Sequence, residues 1–250
     1  MNNRIDVMGC FIDNLSMDET LSKIESFIQS GKPHQHGVVN VDKVVKASKD
    51  PELRRILNEC ALVSADGMPV VWASRLLGQS LKERVAGVDL FAALVKRAAV
   101  KGWRVFFLGG REEVVSTVVG IYRKMLPRLQ IAGYRNGYWK PEEEAGVVKH
   151  IADSHPHLLF VAISSPQKER FLGRYQAEMK VPFAMGVGGT FDVVAGKVKR
   201  APKWMQEWSL EWFYRFLQEP RRMFRRYFID DLYFFWILIK ELSRKLVRLT

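Results

Sequence analysis

The sequence has little cysteine and none of the common nucleotide-binding signatures. Its two cysteines, Cys10 and Cys60, are too few for a disulfide framework, and its first residues lack the long apolar stretch of a signal peptide. We therefore expect a reducing, cytoplasmic location. No G-x-G-x-x-G motif opens a predicted helix, and no G-x-x-x-x-G-K-[ST] motif occurs. Nicotinamide and ATP chemistry are disfavoured by these absences.

Metal-binding patterns are equally scarce. The chain contains no Asp-x-Asp motif. Its five histidines include two close pairs, His34-x-His36 and His155-x-His157, and each pair stands beside a proline in a predicted loop. Neither spacing is typical of a zinc site. The sequence therefore predicts a protein that works without a metal or another cofactor.

The longest apolar run near the C-terminus is too short to span a bilayer. Leu232 to Ile239 is eight residues, whereas a spanning helix needs about 20. We expect the segment 227–250 to lie in the membrane interface instead, on anionic lipid. The aromatic residues expected to insert are Tyr227, Phe228, Tyr233, Phe234, Phe235 and Trp236. The alternative is a helix that packs on the core or on a second subunit.

A basic tail precedes this run. Nine Lys/Arg stand against three Glu between Lys197 and Arg226, and the whole chain of 250 residues has a formal net charge of +12. Trp204, Trp208 and Trp212 are spaced so that they share one face if the segment is helical. The charge indicates an anionic partner, which charge alone leaves open between phosphorylated substrate, anionic lipid and nucleic acid. A solvated helix with a core aromatic stripe explains the same pattern.

Short apolar runs alternate with helical patterns, which is typical of crossover units around a parallel sheet. The predicted strands are Val38–Val41, Ala61–Ser64, Arg104–Leu108, Leu158–Ile163 and Phe183–Val187. The predicted helices are Lys43–Glu59, Asp89–Lys101, Glu112–Leu126, Glu142–Ser154 and Gln167–Met179. We therefore expect an α/β, Rossmann-like, open and mostly parallel sheet flanked by helices. Residues 1–196 form the predicted core and residues 197–250 a basic helical C-terminal appendage.

Ligands of such sheets bind outside the carboxyl ends of the strands. Asp66 follows a predicted strand at an Asp-Gly turn, where a plain turn explains it and a carboxylate facing the cleft is the alternative. The Gly186-Val187-Gly188-Gly189 segment follows another strand and lets the backbone approach a ligand closely. Gly109-Gly110 before a helix is explained by a phosphate site or by a tight turn.

The sequence resembles a known family in motifs that are spread over nearly the whole chain. The motifs are Val39-Asn40, Ala65-Asp66-Gly67, the segment 83–89 (ERVAGVD), Phe107-Leu108-Gly109-Gly110, Ser165-Pro166-Gln167-Lys168-Glu169, the segment 186–202 (GVGGTFDVVAGKVKRAP) and the segment 210–222 (LEWFYRFLQEPRR). In these motifs the chain is similar to the WecG/TagA/CpsF family, glycosyltransferase family 26. Its members are bacterial enzymes that extend lipid-linked glycans at the cytoplasmic membrane.

The resemblance implies roles for individual residues. It makes Asp66 the general base that takes a proton from the acceptor hydroxyl, with inversion at the anomeric carbon. It places Arg84, Arg215, Arg222 and Arg225 against the diphosphate. The other residues implied in substrate binding are Asn40, Gln167, Lys168, Gly188, Gly189, Thr190 and Asp192. For Asp192, helix capping or an ion pair with Lys197 or Arg200 explains the residue equally well.

Two departures from the family pattern bear on the substrate. A family Thr-Pro-Asn is here Val38-Val39-Asn40, which removes a hydroxyl, and the common Pro-Lys-Gln-Glu is here Pro166-Gln167-Lys168-Glu169. A different sugar, or the same sugar bound differently, would account for both changes.

The function implied is transfer of a sugar from a UDP-sugar to an undecaprenyl-diphosphate-linked acceptor, in surface polysaccharide or teichoic acid synthesis. N-acetylmannosamine or its uronate is the expected sugar, and a UDP-glucose-type donor is the alternative. The protein is expected at the cytoplasmic face of the plasma membrane, as a peripheral enzyme. The sequence leaves open whether it works as a monomer or an oligomer. Outside this class, a basic nucleic-acid-binding module and a membrane-associated scaffold are the alternatives, and the aromatic run after Arg226 argues against the first.

Overall fold

The computed structural model describes residues 4–208, 210–220, 224 and 231–249. The strands are β1 (Arg4–Val7), β2 (Cys10–Asp13), β3 (His34–Val39), β4 (Leu62–Ala65), β5 (Arg104–Gly109), β6 (Gln130–Arg135), β7 (Leu158–Ala162) and β8 (Phe183–Gly186). The helices are α1 (Met17–Ser30), α2 (Val41–Lys49), α3 (Pro51–Glu59), α4 (Met68–Leu76), α5 (Gly87–Lys101), α6 (Glu112–Met125), α7 (Glu144–Asp153), α8 (Gln167–Met179), α9 (Thr190–Val194), α10 (Lys203–Glu207), α11 (Glu211–Gln218) and α12 (Asp231–Leu249).

Six strands form one parallel sheet in the order β4-β3-β8-β7-β5-β6, and β1 and β2 form a separate antiparallel hairpin. Alternate side chains of the sheet face opposite layers. Phe107 and Phe160 pack against α1, α5 and α6. Phe106 and Val161 pack against α7 and α8. The predicted open α/β sheet flanked by helices is therefore confirmed.

All five predicted strands overlap strands of the sheet. The prediction missed β6, whose side chains are mostly half-buried or exposed and therefore form no apolar run. Gly133 lies within this strand, opposite Phe106, and a Cβ there would collide with the Phe106 ring. The prediction also missed the hairpin, α1 and α4.

The predicted helix Lys43–Glu59 is in fact two helices. It divides between α2 and α3 because Pro51 has no N–H to donate and a new helix begins there. The Asp50 carboxylate accepts a hydrogen bond from the Leu53 amide at 3.0 Å and caps α3.

The described residues of the predicted C-terminal appendage form two short helices and one long one. The tryptophans do not lie on one continuous helix, because α10 ends at Glu207 and α11 begins at Glu211. Trp204, Trp208 and Trp212 are all exposed, which excludes a core aromatic stripe.

Helix α12 packs against α2, as the alternative for this segment supposed. Phe234 is fully buried and Leu238 nearly so, in a cluster with residues of α2, α3 and α4. The expectation that Phe234 inserts into lipid is wrong, because this ring fills the core. Tyr233 is half-buried against the cluster, whereas Phe235 and Trp236 are exposed on the other side of the helix. Tyr227 and Phe228 lie outside the described residues.

Within the described ranges, no helix has the length and hydrophobicity that crossing a bilayer requires. Helix α12, at 19 residues, carries charged side chains along its length.

Candidate active site

The carboxyl ends of three neighbouring strands bring the predicted site residues together. Asn40 follows β3, Asp66 follows β4 and Gly188 follows β8 closely. From β3 the chain enters α2, whose Val44 packs in the cluster with α3 and α4. From β8 it enters α9, whose Phe191 packs on the opposite layer with α5 and α6. Because the two connections leave toward opposite faces, a crevice opens between these strand ends.

Asp66 stands at the edge of this crevice, beside the start of α5. Its amide donates to the Val39 carbonyl at 2.8 Å, and the Val85 amide donates to the Ala65 carbonyl at 2.9 Å, so the segment before α5 crosses the end of β4. The Asp66 carboxylate lies 3.6 Å from the position that a Cβ would occupy at Gly87. A carboxylate beside a helix N-terminus is in a favourable field. Asp66 is therefore held in the crevice by backbone contacts on both of its sides.

Asn40 acts as the N-cap of α2. Its Oδ1 accepts a hydrogen bond from the Lys43 amide at 3.0 Å. This bond fixes the orientation of the side chain at the end of β3 and leaves the amide nitrogen as the group that can donate to a ligand.

The glycine-rich turn after β8 borders open space. A Cβ at Gly188 or Gly189 would meet no atom of the described residues within 4 Å. Gly188 has φ +52°, a conformation that favours glycine. The Thr190 hydroxyl donates to the Val187 carbonyl at 2.7 Å, so its proton belongs to the turn and its oxygen can only accept from a ligand.

Gly109-Gly110 forms a tight turn, which is one of the two alternatives that the sequence left open for this pair. A Cβ at Gly109 would collide with the Ala162 backbone. The Gly110 amide donates to the Ala162 carbonyl at 3.0 Å. Glu112 and Glu113 occupy the first turn of α6, an arrangement that opposes an anion there.

Lys168 lies beneath the crevice in a buried ion cluster, which we call the Lys43–Glu169–Lys168 triad. Lys43 Nζ lies 2.5 Å from Glu169 Oε1, and Lys168 Nζ lies 2.7 Å from the same oxygen. The three side chains keep only 5–8% of their exposure. The stem of Lys168 passes so close to Gly186 that a Cβ there would stand 2.8 Å from Lys168 Cε. Glycine at position 186 is therefore what admits this lysine.

The triad shifts the titration of its members. Burial lowers the pKa of Lys168 to about 8, an effect to which the neighbouring Lys43 ammonium contributes. Burial by itself would raise the pKa of Glu169, but the two ammonium groups outweigh it and lower that pKa to about 2. Glu169 is thus ionised at neutral pH.

Two further residues of the predicted site, Gln167 and Asp192, lie at the starts of helices. Gln167 is exposed at the start of α8, where its Oε1 accepts from the Ser164 hydroxyl at 2.8 Å. Asp192 lies in the first turn of α9. The cations suggested as its partners contact other carboxylates: Lys197 lies 3.0 Å from Glu113, and Arg200 lies 2.6 Å from Asp89.

Arg84 belongs to a chain of ion pairs between the core and the C-terminal segment. Its Nη1 lies 2.7 Å from Glu211 Oε2, at the start of α11. Glu211 Oε1 also contacts Arg200 at 3.3 Å, and Arg200 forms two hydrogen bonds to Asp89 at 2.6 and 2.8 Å. Arg84 therefore directly precedes Val85, whose amide hydrogen-bonds to Ala65 at the site. Its guanidinium is paired with the Glu211 carboxylate.

The other predicted arginines are not tested by this geometry. Arg215 lies on α11, and its side chain is outside the described part of the chain. Arg222 and Arg225 also lie outside the described residues.

Among the residues that are described, no group of three or more His, Cys, Asp or Glu is arranged to hold a metal ion. Metal independence stays a prediction.

A family model decides the relationship of the chain. The model described as "Glycosyl transferase WecG/TagA/CpsF family" matches residues 5–248. The chain belongs to this family. It is a glycosyltransferase, which confirms the predicted enzyme class and makes the nucleic-acid-binding module and the scaffold unnecessary as explanations.

Two curated relatives carry the same name, N-acetylglucosaminyldiphosphoundecaprenol N-acetyl-beta-D-mannosaminyltransferase. The relative from Bacillus spizizenii is 38% identical over 177 residues, which cover 71% of this chain and 68% of that protein. The relative from Bacillus subtilis is 35% identical over 235 residues, which cover 94% of this chain and 88% of that protein.

Sequence reasoning missed three residues that organise the site of this glycosyltransferase. Lys43 had a local signal, because it stands three residues after the N-cap Asn40. Glu169 stands next to Lys168 at the end of the segment 165–169, and Glu211 stands in the basic tail. No local pattern shows that Glu169 also contacts Lys43 or that Glu211 reaches Arg84, because these two contacts join distant segments.

Proposed function

We propose that the protein transfers N-acetylmannosamine, or its uronate, from a UDP-sugar to N-acetylglucosaminyl-diphospho-undecaprenol. The observation that carries this proposal is that both curated relatives are named for mannosaminyl transfer to that acceptor, one of them over 94% of this chain. Asp66 and the glycine-rich turn support it, because they follow β4 and β8, on either side of β3, at the same edge of the sheet, where ligands of such sheets bind.

In the proposed reaction Asp66 acts as general base. The acceptor hydroxyl gives its proton to the carboxylate as its oxygen attacks the anomeric carbon, and the bond from that carbon to UDP breaks. One displacement inverts the anomeric configuration, so an α-linked donor yields the β linkage that appears in the relatives' names. No carboxylate nucleophile is needed.

The departing UDP develops negative charge that cations must stabilise. We assign this role to Arg84, whose guanidinium exchanges Glu211 for the diphosphate in the proposed reaction. Arg215, Arg222 and Arg225 are proposed to complete the cationic surface, with no metal ion. A guanidinium suits this task because its planar fork can donate two hydrogen bonds to one phosphate.

A lipid-linked acceptor requires an enzyme that works at a membrane surface. We propose a peripheral location at the cytoplasmic face, where UDP-sugars are made. The exposed rings of Trp204, Trp208, Trp212, Phe235 and Trp236 supply apolar and amphipathic groups for such a surface. Association with further copies of the chain remains a second use for the same rings.

Transfer from a panel of UDP-sugars to a short-chain prenyl-diphosphate-GlcNAc acceptor tests the proposal. We expect one added N-acetylmannosamine or uronate residue by mass, with the same yield in the presence of a chelator. Product from UDP-glucose alone would favour the exopolysaccharide alternative. Activity lost with chelator and restored by a divalent cation would contradict metal independence.

Filling the open space at the glycine-rich turn is expected to block the donor. Gly189 has φ −73°, which any residue adopts, and a Cβ there would have no atom of the described part of the chain within 4 Å. Gly189→Leu should therefore change the free energy of unfolding by no more than about 0.5 kcal/mol. Calorimetric binding of UDP should weaken at least tenfold, because the leucine side chain occupies the donor's place.

A matched control is Gly120→Leu on the exposed surface of α6, where a Cβ also meets no described atom within 4 Å. This variant should bind UDP as the unmodified protein does. Normal UDP binding by Gly189→Leu would place the donor elsewhere.

A further inference from the structure

The triad beneath the crevice carries more positive charge than its own carboxylate neutralises. Among the described residues, Glu169 is the one carboxylate that contacts either ammonium group, and it contacts both. Two lysines and one glutamate leave a net charge of +1 on three side chains that are more than nine-tenths buried. A buried charge without a counter-ion is unfavourable by several kcal/mol. An arrangement of this kind is stable when an anion can approach it.

The position of the triad indicates which anion that is. Lys43 lies in the first turn of α2 after β3, and Lys168 lies in the first turn of α8 after β7. The stem of Lys168 runs along Gly186 at the end of β8, which lies between those two strands. The surplus charge therefore sits at the carboxyl ends of β3, β8 and β7. The open space at Gly188 and Gly189 is two to three residues further along the chain.

We propose that Lys168 and Lys43, held together by Glu169, form a cationic subsite that binds an oxyanion of the sugar-nucleotide donor. The oxyanion is either the diphosphate or a carboxylate on the sugar. This inference rests on the proposed function, since it assumes a UDP-sugar in the crevice. It also gives a physical meaning to the exchange of Gln and Lys relative to the common family motif, because that exchange is what places an ammonium group at position 168.

The subsite is sensitive to pH through Lys168. The groups that face it are Glu169 on its own helix and Lys43 and Lys46 on α2, while β8 presents the uncharged Gly186. His36 on β3 is neutral, because burial lowers its pKa to about 3. Lys168 has a pKa of about 8 without a ligand. An oxyanion that binds the ammonium form should raise this pKa, so Lys168 should take up a proton when the ligand binds near pH 8.

The test compares Lys168→Gln with the unmodified protein by calorimetry. The probes are UDP, UDP-N-acetylmannosamine and UDP-N-acetylmannosaminuronate, each measured between pH 6.5 and 9.5. In the unmodified protein we expect affinity to fall above about pH 8, where the free Lys168 loses its proton. The variant should bind about tenfold or more weakly at pH 7. It should also lose the fall in affinity above pH 8.

The three probes identify the oxyanion. Weaker binding of all three supports a diphosphate subsite, and weaker binding of the uronate alone supports a carboxylate subsite. Unchanged affinity and an unchanged pH profile for all three would overturn the subsite while leaving the proposed function intact. If the unmodified protein bound none of the probes, the proposed donor and the subsite would both be wrong.

Stability separates this binding role from a structural one. Lys168→Gln leaves the Lys43–Glu169 pair in place and removes the surplus charge, so the midpoint of thermal unfolding should stay equal or rise. A structural salt bridge would predict a lower midpoint. The control is Lys46→Gln, one turn further along α2, whose more exposed ammonium pairs with Asp42 at 3.0 Å. This variant should keep UDP affinity within about twofold, since exposed charges are screened.

Discussion

Asp66→Asn is expected to lower the rate of sugar transfer at least a hundredfold while leaving UDP-sugar affinity within about threefold. The asparagine side chain has the same shape, so the hydrogen bonds of Asp66 N to Val39 and of Val85 N to Ala65 should persist. Its amide, however, cannot take the proton of the acceptor hydroxyl. The loss should therefore appear in kcat and not in donor binding.

The measurement is a steady-state transfer assay combined with calorimetric titration of UDP on the same preparations. Asp153→Asn is a suitable control, because Asp153 is an exposed aspartate at the end of α7 that pairs only with Lys149 among the described side chains. It should transfer sugar at the unmodified rate. Transfer by Asp66→Asn at the unmodified rate would remove Asp66 from the mechanism, and loss of UDP binding would make it a binding residue instead.

Glu169→Gln should produce the largest loss of stability among single changes at the site, about 3–5 kcal/mol in the free energy of unfolding. The substitution leaves Lys43 and Lys168 buried side by side with no carboxylate between them. Both ammonium groups then lack a counter-ion and repel each other. Denaturant unfolding followed by circular dichroism measures the effect.

Two further variants make this prediction specific. Glu59→Gln removes the carboxylate of an exposed ion pair with Arg55 and should change stability by less than about 1 kcal/mol. Lys168→Gln combined with Glu169→Gln should recover part of the loss, because only one buried ammonium remains. A loss below about 1 kcal/mol for Glu169→Gln alone would mean that water or another group already neutralises the lysines.

The same carboxylate predicts an acid dependence. The pKa of Glu169 is lowered from its ordinary 4.5 to about 2 in the folded protein. A group with a lowered folded pKa stabilises the fold above its unfolded pKa, and that stabilisation disappears as the pH falls from about 4.5 toward 2. Unfolding measured between pH 6 and pH 2 should therefore show this loss in the unmodified protein and lack it in Glu169→Gln.

Much of the fold follows from local patterns. Runs of apolar residues predicted five of the six strands of the sheet, the buried edge strand β4 among them. Helical periodicity predicted α5, α6, α7 and α8, because burial against a single layer leaves a regular signature. The edge strand β6 escaped prediction because its side chains are partly exposed and leave no such run. Asp66 and the glycine-rich turn are candidates because they closely follow strands, at the edge where ligands of parallel sheets bind.

The sequence by itself determined the family and the enzyme class, and it predicted the edge of the sheet at which we propose the site, since motifs and the ends of individual strands are read from neighbouring residues. Tertiary structure alone decided which partner each ionic group has. Arg84 and Glu211 are 127 residues apart, and Lys43 and Glu169 belong to different helices. The same holds for Phe234, whose ring was expected in lipid and lies in the core beside α2. Hydropathy reports that a side chain avoids water, and only the packing of distant segments determines what covers it.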